Sequence, residues 1–184
     1  MPKVVFVTGN SNKAQYFSRM MGADIDHVAV NLDEVQSLSL KEIVEHKARQ
    51  SYEKLQRPVL VEDTKLAFAA LGGLPGPFIK WFLDTMSTAD ICKMLDGLDD
   101  RSAVAGAAIA YYDGKVLEIF ERELAGTVPL EPKGSPGFGW NPIFIPKGSS
   151  QTLGEMTEAA FEDWYKRIKP FDACMEFLRQ NDYL

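Results

Sequence analysis

Two carboxylates, Glu62 and Asp63, stand side by side directly after the unbroken apolar run Val59-Leu60-Val61. Such a run, bracketed by Pro58 and acids, reads as a short strand buried on both faces, with the acids at its exit. Ionised oxygens that leave bulk water need cations, hydrogen bonds or a metal. An acid pair in that position therefore suits chemistry better than packing. Further on, Gly72-Gly73-Leu74-Pro75-Gly76-Pro77 continues no regular element. A short helical pattern follows, with Phe78, Trp81 and Phe82 on one face and Lys80 off it. Two acids, a tight loop and a cation in one stretch suit a site for phosphate and a hard metal ion. No Cys/His spacing suggests zinc.

A second candidate lies near the N-terminus, where Val4-Val5-Phe6-Val7 reads as a buried strand and Thr8-Gly9-Asn10-Ser11-Asn12-Lys13 as the turn that leaves it. The helix that follows carries Ala14, Phe17 and Met21 at helical spacing. Backbone N–H groups converge at such a helix start and the helix dipole favours an anion. Thr8 and Asn10 add side-chain donors and Lys13 a charge. The GxxxxGK[ST] phosphate loop is absent, and a turn of this composition is by itself common. A third stretch, Gly134 to Pro142, sets Phe138 and Trp140 between glycines, either as a core plug or as a stacking platform for a base.

These residues need elements to hold them. His27 to Val35 reads as a strand ending in Asp33-Glu34, and Ser39 to Leu55 as a helix opened by a Ser39/Glu42 capping box. Its apolar stripe is Leu40, Ile43, Val44, Ala48 and Leu55; Lys47, four residues after Ile43, lies along that stripe, to snorkel past the core or to reach a ligand. Thr88 caps a helix through Ile91 and Leu95 that stops at Gly97. Ala105–Tyr112 and Val116–Phe120 form a hairpin about Asp113-Gly114, and Leu124 to Leu130 is a further strand. Thr157 to Lys169 is helical, with Phe161, Trp164, Tyr165 and Ile168 on one face. Pro170 fits the first turn of a closing helix through Phe171, Cys174, Met175 and Leu178. The alternation indicates an α/β fold.

Composition bounds the function. With 184 residues, 46% apolar and 25% charged, the chain is an ordinary globular protein. A net charge of −6 argues against a sequence-independent grip on nucleic acid. An acidic chain that binds polyphosphate must gather its cations locally and recruit a divalent metal. Cys92 and Cys174 lie far apart and read as reduced, buried residues. No charged-then-apolar leader precedes the first strand and no apolar run approaches membrane-spanning length, so the expectation is a cytoplasmic protein with no membrane partner.

VLVEDT followed by GGLPGPFIKWF, with T-G-N-x-x-K before them and GFGWNP after, resembles the inosine triphosphate pyrophosphatase family from Val4 to about Arg167. The resemblance implies one domain over residues 1–184, built as an elongated mixed central sheet with flanking helices and two lobes around a nucleotide cleft, and a homodimer. It implies hydrolysis of non-standard purine nucleoside triphosphates (ITP, dITP, XTP) to the monophosphate and pyrophosphate, with Mg²⁺ or Mn²⁺. Carried onto this chain, the metal ligands are Glu34, Glu62 and Asp63, and the catalytic groups Asp63, Glu62 and Lys13. Thr8, Gly9, Asn10, Lys13, Lys47, Asp63, Thr64 and Lys80 then contact the substrate, as do Phe138, Gly139, Trp140, Asn141, Lys166 and Arg167 at the base. Four positions depart from the family: Asn141 replaces an aspartate, Phe161 a lysine, and Tyr165-Lys166 the Ser-His of a Ser-His-Arg whose arginine is kept as Arg167. The departures keep two alternatives open, a nucleotide pyrophosphatase with different or relaxed base specificity and a catalytically weakened nucleotide-binding protein.

Overall fold

The structure, a computed structural model, describes residues 3–135 and 139–183, with Asn12 by its backbone alone. It is a mixed α/β fold whose seven-stranded sheet runs in the order β2-β1-β3-β5-β6-β7, with β4 paired to β3 off that path. The strands are β1 (Val5–Val7), β2 (His27–Val28), β3 (Val59–Phe68), β4 (Pro75–Gly76), β5 (Ser102–Tyr112), β6 (Leu117–Thr127) and β7 (Ile145–Pro146). The helices are α1 (Ser11–Met21), α2 (Leu40–Leu55), α3 (Ile79–Thr85), α4 (Thr88–Lys93), α5 (Glu158–Ile168) and α6 (Phe171–Gln180). The chain forms two compact units, one of residues 1–63, 107–121 and 170–184, the other of residues 64–106 and 122–169. β3, β5 and β6 each pass from one unit into the other.

In the first unit, parallel β1 and β3 pair Val5 with Val59 and Phe6 with Leu60. Side chains alternate across a strand, so β1 offers two faces. Val5, Val7, Val59 and Val61 pack with Leu40, Val44 and Ala48 of α2. Phe6 points the other way and stacks on Phe17 of α1, ring centroids 4.0 Å apart, and Phe17 meets Phe171 of α6 edge-on. α2 thus covers one face of these strands, and α1 with α6 the other. The second unit has its own core, which joins Leu66 and Phe68 of β3 to Ile79, Ile91, Leu95, Ile143, Phe144 and Ile168.

Five elements differ from the reading of the sequence. In α4 the cap is Ser87, whose hydroxyl accepts the Asp90 N–H, and not Thr88, and the helix ends at Lys93. β3 does not end at the acids but runs ten residues, through Glu62 and Asp63 to Phe68. Its neighbour β5 is eleven residues long and flanks it in the sheet, and Leu66 and Phe68 restore buried alternation beyond the acids. The strand expected over His27–Val35 is only His27–Val28, because it is an edge strand whose sole neighbour, β1, is three residues long. β6 is one strand over Leu117–Thr127: Glu121, Arg122 and Glu123 continue the period-two alternation, with both glutamates exposed. In α3 it is Ile79 that is buried, with Phe82 and Leu83 packed beside it, while Trp81 remains 59% exposed.

Candidate active site

Glu62 and Asp63 are consecutive on β3 and so point to opposite faces of the sheet. Each face supplies its own lysine. On the α1 face, Lys13 Nζ lies 3.3 Å from Glu62 Oε2 and also donates to the Glu62 carbonyl at 3.3 Å. Glu62 is buried, and a carboxylate there is stable as an anion only with such a partner. On the α2 face, Lys47 Nζ lies 2.5 Å from Asp63 Oδ2, the two side chains 20% and 22% exposed. Lys47 therefore reaches from the inward edge of α2 to the Asp63 carboxylate. Burial of Leu40, Val44 and Ala48 at about 1.5–3 kcal/mol for each large side chain fixes α2, and with it the lysine.

The turn after β1 is held by its own hydrogen bonds. Thr8 N–H donates to the Val28 carbonyl, tying the turn to β2. Thr8 Oγ1 accepts the Asn10 N–H at 3.1 Å, and Asn10 Oδ1 caps α1 by accepting the Lys13 N–H at 3.0 Å. No acidic residue occupies the first turn of α1, so its remaining N–H groups face no competing carboxylate. Gly9 and Asn10 are exposed, as a phosphate-accepting turn requires.

Glu34 lies outside β3. It is exposed, on the irregular segment after β2, and among the described residues its carboxylate has no hydrogen bond or ion pair. Among the described residues no three His, Cys, Asp or Glu side chains gather closely enough to hold a metal ion. That does not conflict with Mg²⁺ or Mn²⁺, which take one or two carboxylates and complete their shells with water and substrate phosphate. The donor set, oxygen throughout, fits such an ion.

The remaining candidates belong to the second unit. Thr64 follows Asp63 on β3, partly buried. Lys80 pairs with Asp84 one helical turn on, both well exposed. Phe138 lies outside the described residues. Gly139 begins the described part of its loop with φ at +59°. Trp140 is 6% exposed, inside the core and edge-on to Phe144, and Asn141 is equally buried at the start of a 3₁₀ turn. Trp140 thus packs as a core plug, whereas the resemblance implies a contact with the base. Lys166 and Arg167 are exposed in the last turn of α5, Arg167 with its guanidinium 4.4 Å from the Trp164 ring centre. Phe161, where the resembled family has lysine, stacks on Tyr165 at 4.9 Å and packs on the core.

Two supports escape the sequence reading. Thr152 and Glu155 form a capping box whose Thr152 hydroxyl donates to the Lys133 carbonyl at 2.9 Å, and Ser135 N–H donates to the Gly154 carbonyl at 3.0 Å. A Cβ at Gly154 would sit 2.8 Å from the Lys133 carbonyl oxygen, so only glycine allows this approach. The second support is Gln50 with Lys54, which tie α2 to the Asn31–Asp33 segment. Lys47, Gln50 and Lys54 recur at helical spacing, a polar stripe beside the apolar one that could have signalled them.

Comparison with known proteins shows the family and the fold. The model of the Ham1 family matches residues 4–177. The inosine triphosphate pyrophosphatase of Yarrowia lipolytica is 38% identical over 182 residues, covering 96% of either chain. That of Schizosaccharomyces pombe is 40% identical over 162 residues, covering 86% of this chain and 85% of its own. The solved structure of a HAM1 protein from Coxiella burnetii superposes with a TM-score of 0.85 over 98% of this chain and 100% of its own, at 23% identity, and so bears out the fold. Matched across nearly its whole length and closely related to these fungal proteins, the chain belongs to the Ham1 family.

Proposed function

We propose that this protein hydrolyses non-standard purine nucleoside triphosphates, ITP, dITP and XTP, to the monophosphate and pyrophosphate, and so sanitises the nucleotide pool. One observation carries the reading beyond homology. The two β3 acids are each held by a lysine from a different helix, beside a capped helix start with no acid in its first turn. A nucleotide binder without turnover gains little from an acid pair poised for a metal ion.

The chemistry follows from these groups. The N–H groups at the start of α1 and Lys13 receive phosphate oxygens, and Lys47 offsets the charge that moves onto the leaving pyrophosphate. Lys80 adds a further cation for phosphate. The Asp63 carboxylate accepts the proton of the attacking water as the water oxygen bonds to the α-phosphorus; the bond from that phosphorus to the bridging oxygen breaks, and pyrophosphate leaves with the electron pair. Asp63 and Glu34 would hold Mg²⁺ or Mn²⁺, with Glu62 on the other face holding Lys13; Glu62 remains a further oxygen donor. Such an ion, when bound, polarises phosphate oxygens and acidifies a bound water.

Base selectivity is the finer question. Phe161 lies packed on Tyr165 and offers no hydrogen bond to a purine 6-oxo group. Sites that hydrogen-bond a substrate group reject its analogue by about 10⁴-fold, whereas apolar contacts give roughly 10–200-fold. The preference for 6-oxo purines is therefore shallower here, unless Lys166 or Asn141 supplies the donor. We also read the protein as a cytoplasmic homodimer. Both cysteines are free and buried, as a reducing compartment allows, and exposed Trp81 and Leu74 offer apolar surface for a second copy. Among the described residues no helix is long and apolar enough to cross a membrane.

The test is pyrophosphate release with Mg²⁺ from ITP, dITP, XTP and the standard nucleotides. Asp63-dependent turnover of ITP and XTP is the expected result. Turnover confined to other nucleotides overturns the substrate assignment, and nucleotide binding without turnover overturns the enzyme reading.

A further inference from the structure

Asp33 and Glu34 are adjacent acids of the same formal charge, yet the structure treats them differently. Gln50 of α2 grips Asp33 with both ends of its amide: Oε1 accepts the Asp33 N–H at 2.9 Å, and Nε2 donates to Asp33 Oδ2 at 3.1 Å. Lys54, one turn further along α2, donates to the Asn31 carbonyl. At the far end of the segment Ser37 Oγ donates to Glu42 Oε2 at 2.6 Å and accepts the Ser39 N–H at 3.0 Å. Ser37 thereby replaces the direct Glu42-to-Ser39 half of the expected capping box. Beyond Val28 the segment is not in the sheet; Val30 and Leu32 pack on the core beneath α2, and these polar contacts add to that anchoring.

From this geometry we propose that Gln50 is a positioning residue, which clasps Asp33 so that the next carboxylate, Glu34, is held out toward the divalent ion. The inference rests on the reading of Glu34 and Asp63 as the ion's ligands. α2 carries both halves of that arrangement, Lys47 on Asp63 and, three residues on, Gln50 on Asp33. Asp33 gives one carboxylate oxygen, Oδ2, to the clasp, which leaves it the less available of the two acids. Glu34, with no partner among the described residues, is the acid left to bind.

The test keeps net charge constant. Gln50→Met removes the clasp at equal charge. Asp33→Asn combined with Gln50→Glu reverses donor and acceptor at equal charge. Mn²⁺ affinity is measured by electron paramagnetic resonance on the protein alone, beside the Mg²⁺ dependence of ITP turnover. Loss of exposed hydrogen bonds predicts that Gln50→Met weakens Mn²⁺ binding about 3- to 10-fold and raises half-saturating Mg²⁺ by the same factor. Turnover at saturating Mg²⁺ is retained, the reversed pair recovers most of the affinity, and in a Glu34→Gln background Gln50→Met has no further effect. A merely structural role would lower saturated turnover as well and would act equally in that background. Unchanged Mn²⁺ affinity in Gln50→Met, no recovery by the reversed pair, or an equal effect in the Glu34→Gln background overturns the proposal. If wild-type protein turns over ITP but has no Glu34-dependent Mn²⁺ site, this inference falls and the proposed function stands. If Mn²⁺ binding depends on Gln50 and Glu34 but no ITP is cleaved, the proposed function falls and this inference stands.

Discussion

Replacing Asp63 with asparagine separates chemistry from stability at one position. The Lys47–Asp63 contact is 2.5 Å, with about a fifth of each side chain still in solvent. Hydrogen bonds to charged groups contribute about 1.5–3 kcal/mol, and the remaining exposure moves the figure down, to about 1–2 kcal/mol. For a chain of this length that loss lowers Tm by roughly 2–8 °C. Domains are stable by about 5–15 kcal/mol, so nearly all of the Asp63→Asn protein remains folded at 25 °C. The amide keeps the shape of the carboxylate but cannot accept the proton of the attacking water. Turnover of ITP therefore drops at least ~10²-fold, within the range of general base catalysis. Lys47→Met breaks the same ion pair, with a similar Tm loss, but leaves the base in place; its effect falls on both KM and turnover through lost phosphate charge. Steady-state pyrophosphate release at saturating Mg²⁺, beside calorimetry of both variants, makes the comparison. If Asp63→Asn retains wild-type turnover, Asp63 is not the base and the mechanism above is wrong.

Three further outcomes follow from the packing. Burial pushes the Cys92 thiol up to about 11 and the Cys174 thiol up to about 12 from an ordinary 9.0. The folded chain thus keeps protons that the unfolded chain releases above pH 9; this stabilisation is complete below pH 9 and is lost as pH rises through about 11 to 12. Thermal melts from pH 8 upward should show Tm falling, and Cys174→Ala should flatten the fall; a slope unchanged by that variant refutes the assignment. Gly154→Ala forces a Cβ to within 2.8 Å of the Lys133 carbonyl oxygen and should cost about 1–3 kcal/mol in urea unfolding while raising KM for ITP. An unchanged KM would show that the loop before Asn141 does not shape the base end. Phe161→Lys should raise the ratio of ITP to ATP turnover at least ~10-fold, and an unmoved ratio would place 6-oxo discrimination elsewhere.

The candidate site residues stood out through local signals, because the constraints on them are local. Asn10 can cap α1 and fix the phosphate turn through contacts within three residues of chain. The apolar stripe of α2 follows from helical period alone and placed Lys47 at the inward edge correctly. The family motifs, likewise short and contiguous, named Glu62 and Asp63 as acids of interest. What tertiary structure decided is which group each acid faces. Whether β3 ends at Glu62 or runs on to Phe68 depends on β5, a strand some forty residues away in the chain, which no window around VLVEDT contains. That continuation makes the two acids diverge, Glu62 to Lys13 and Asp63 to Lys47. The same holds for Trp140, whose glycine-flanked sequence suits a platform or a plug equally well until Phe144 and the second core close around it. Asp33 and Glu34 are equivalent as letters, and only the reach of Gln50 from α2 tells them apart.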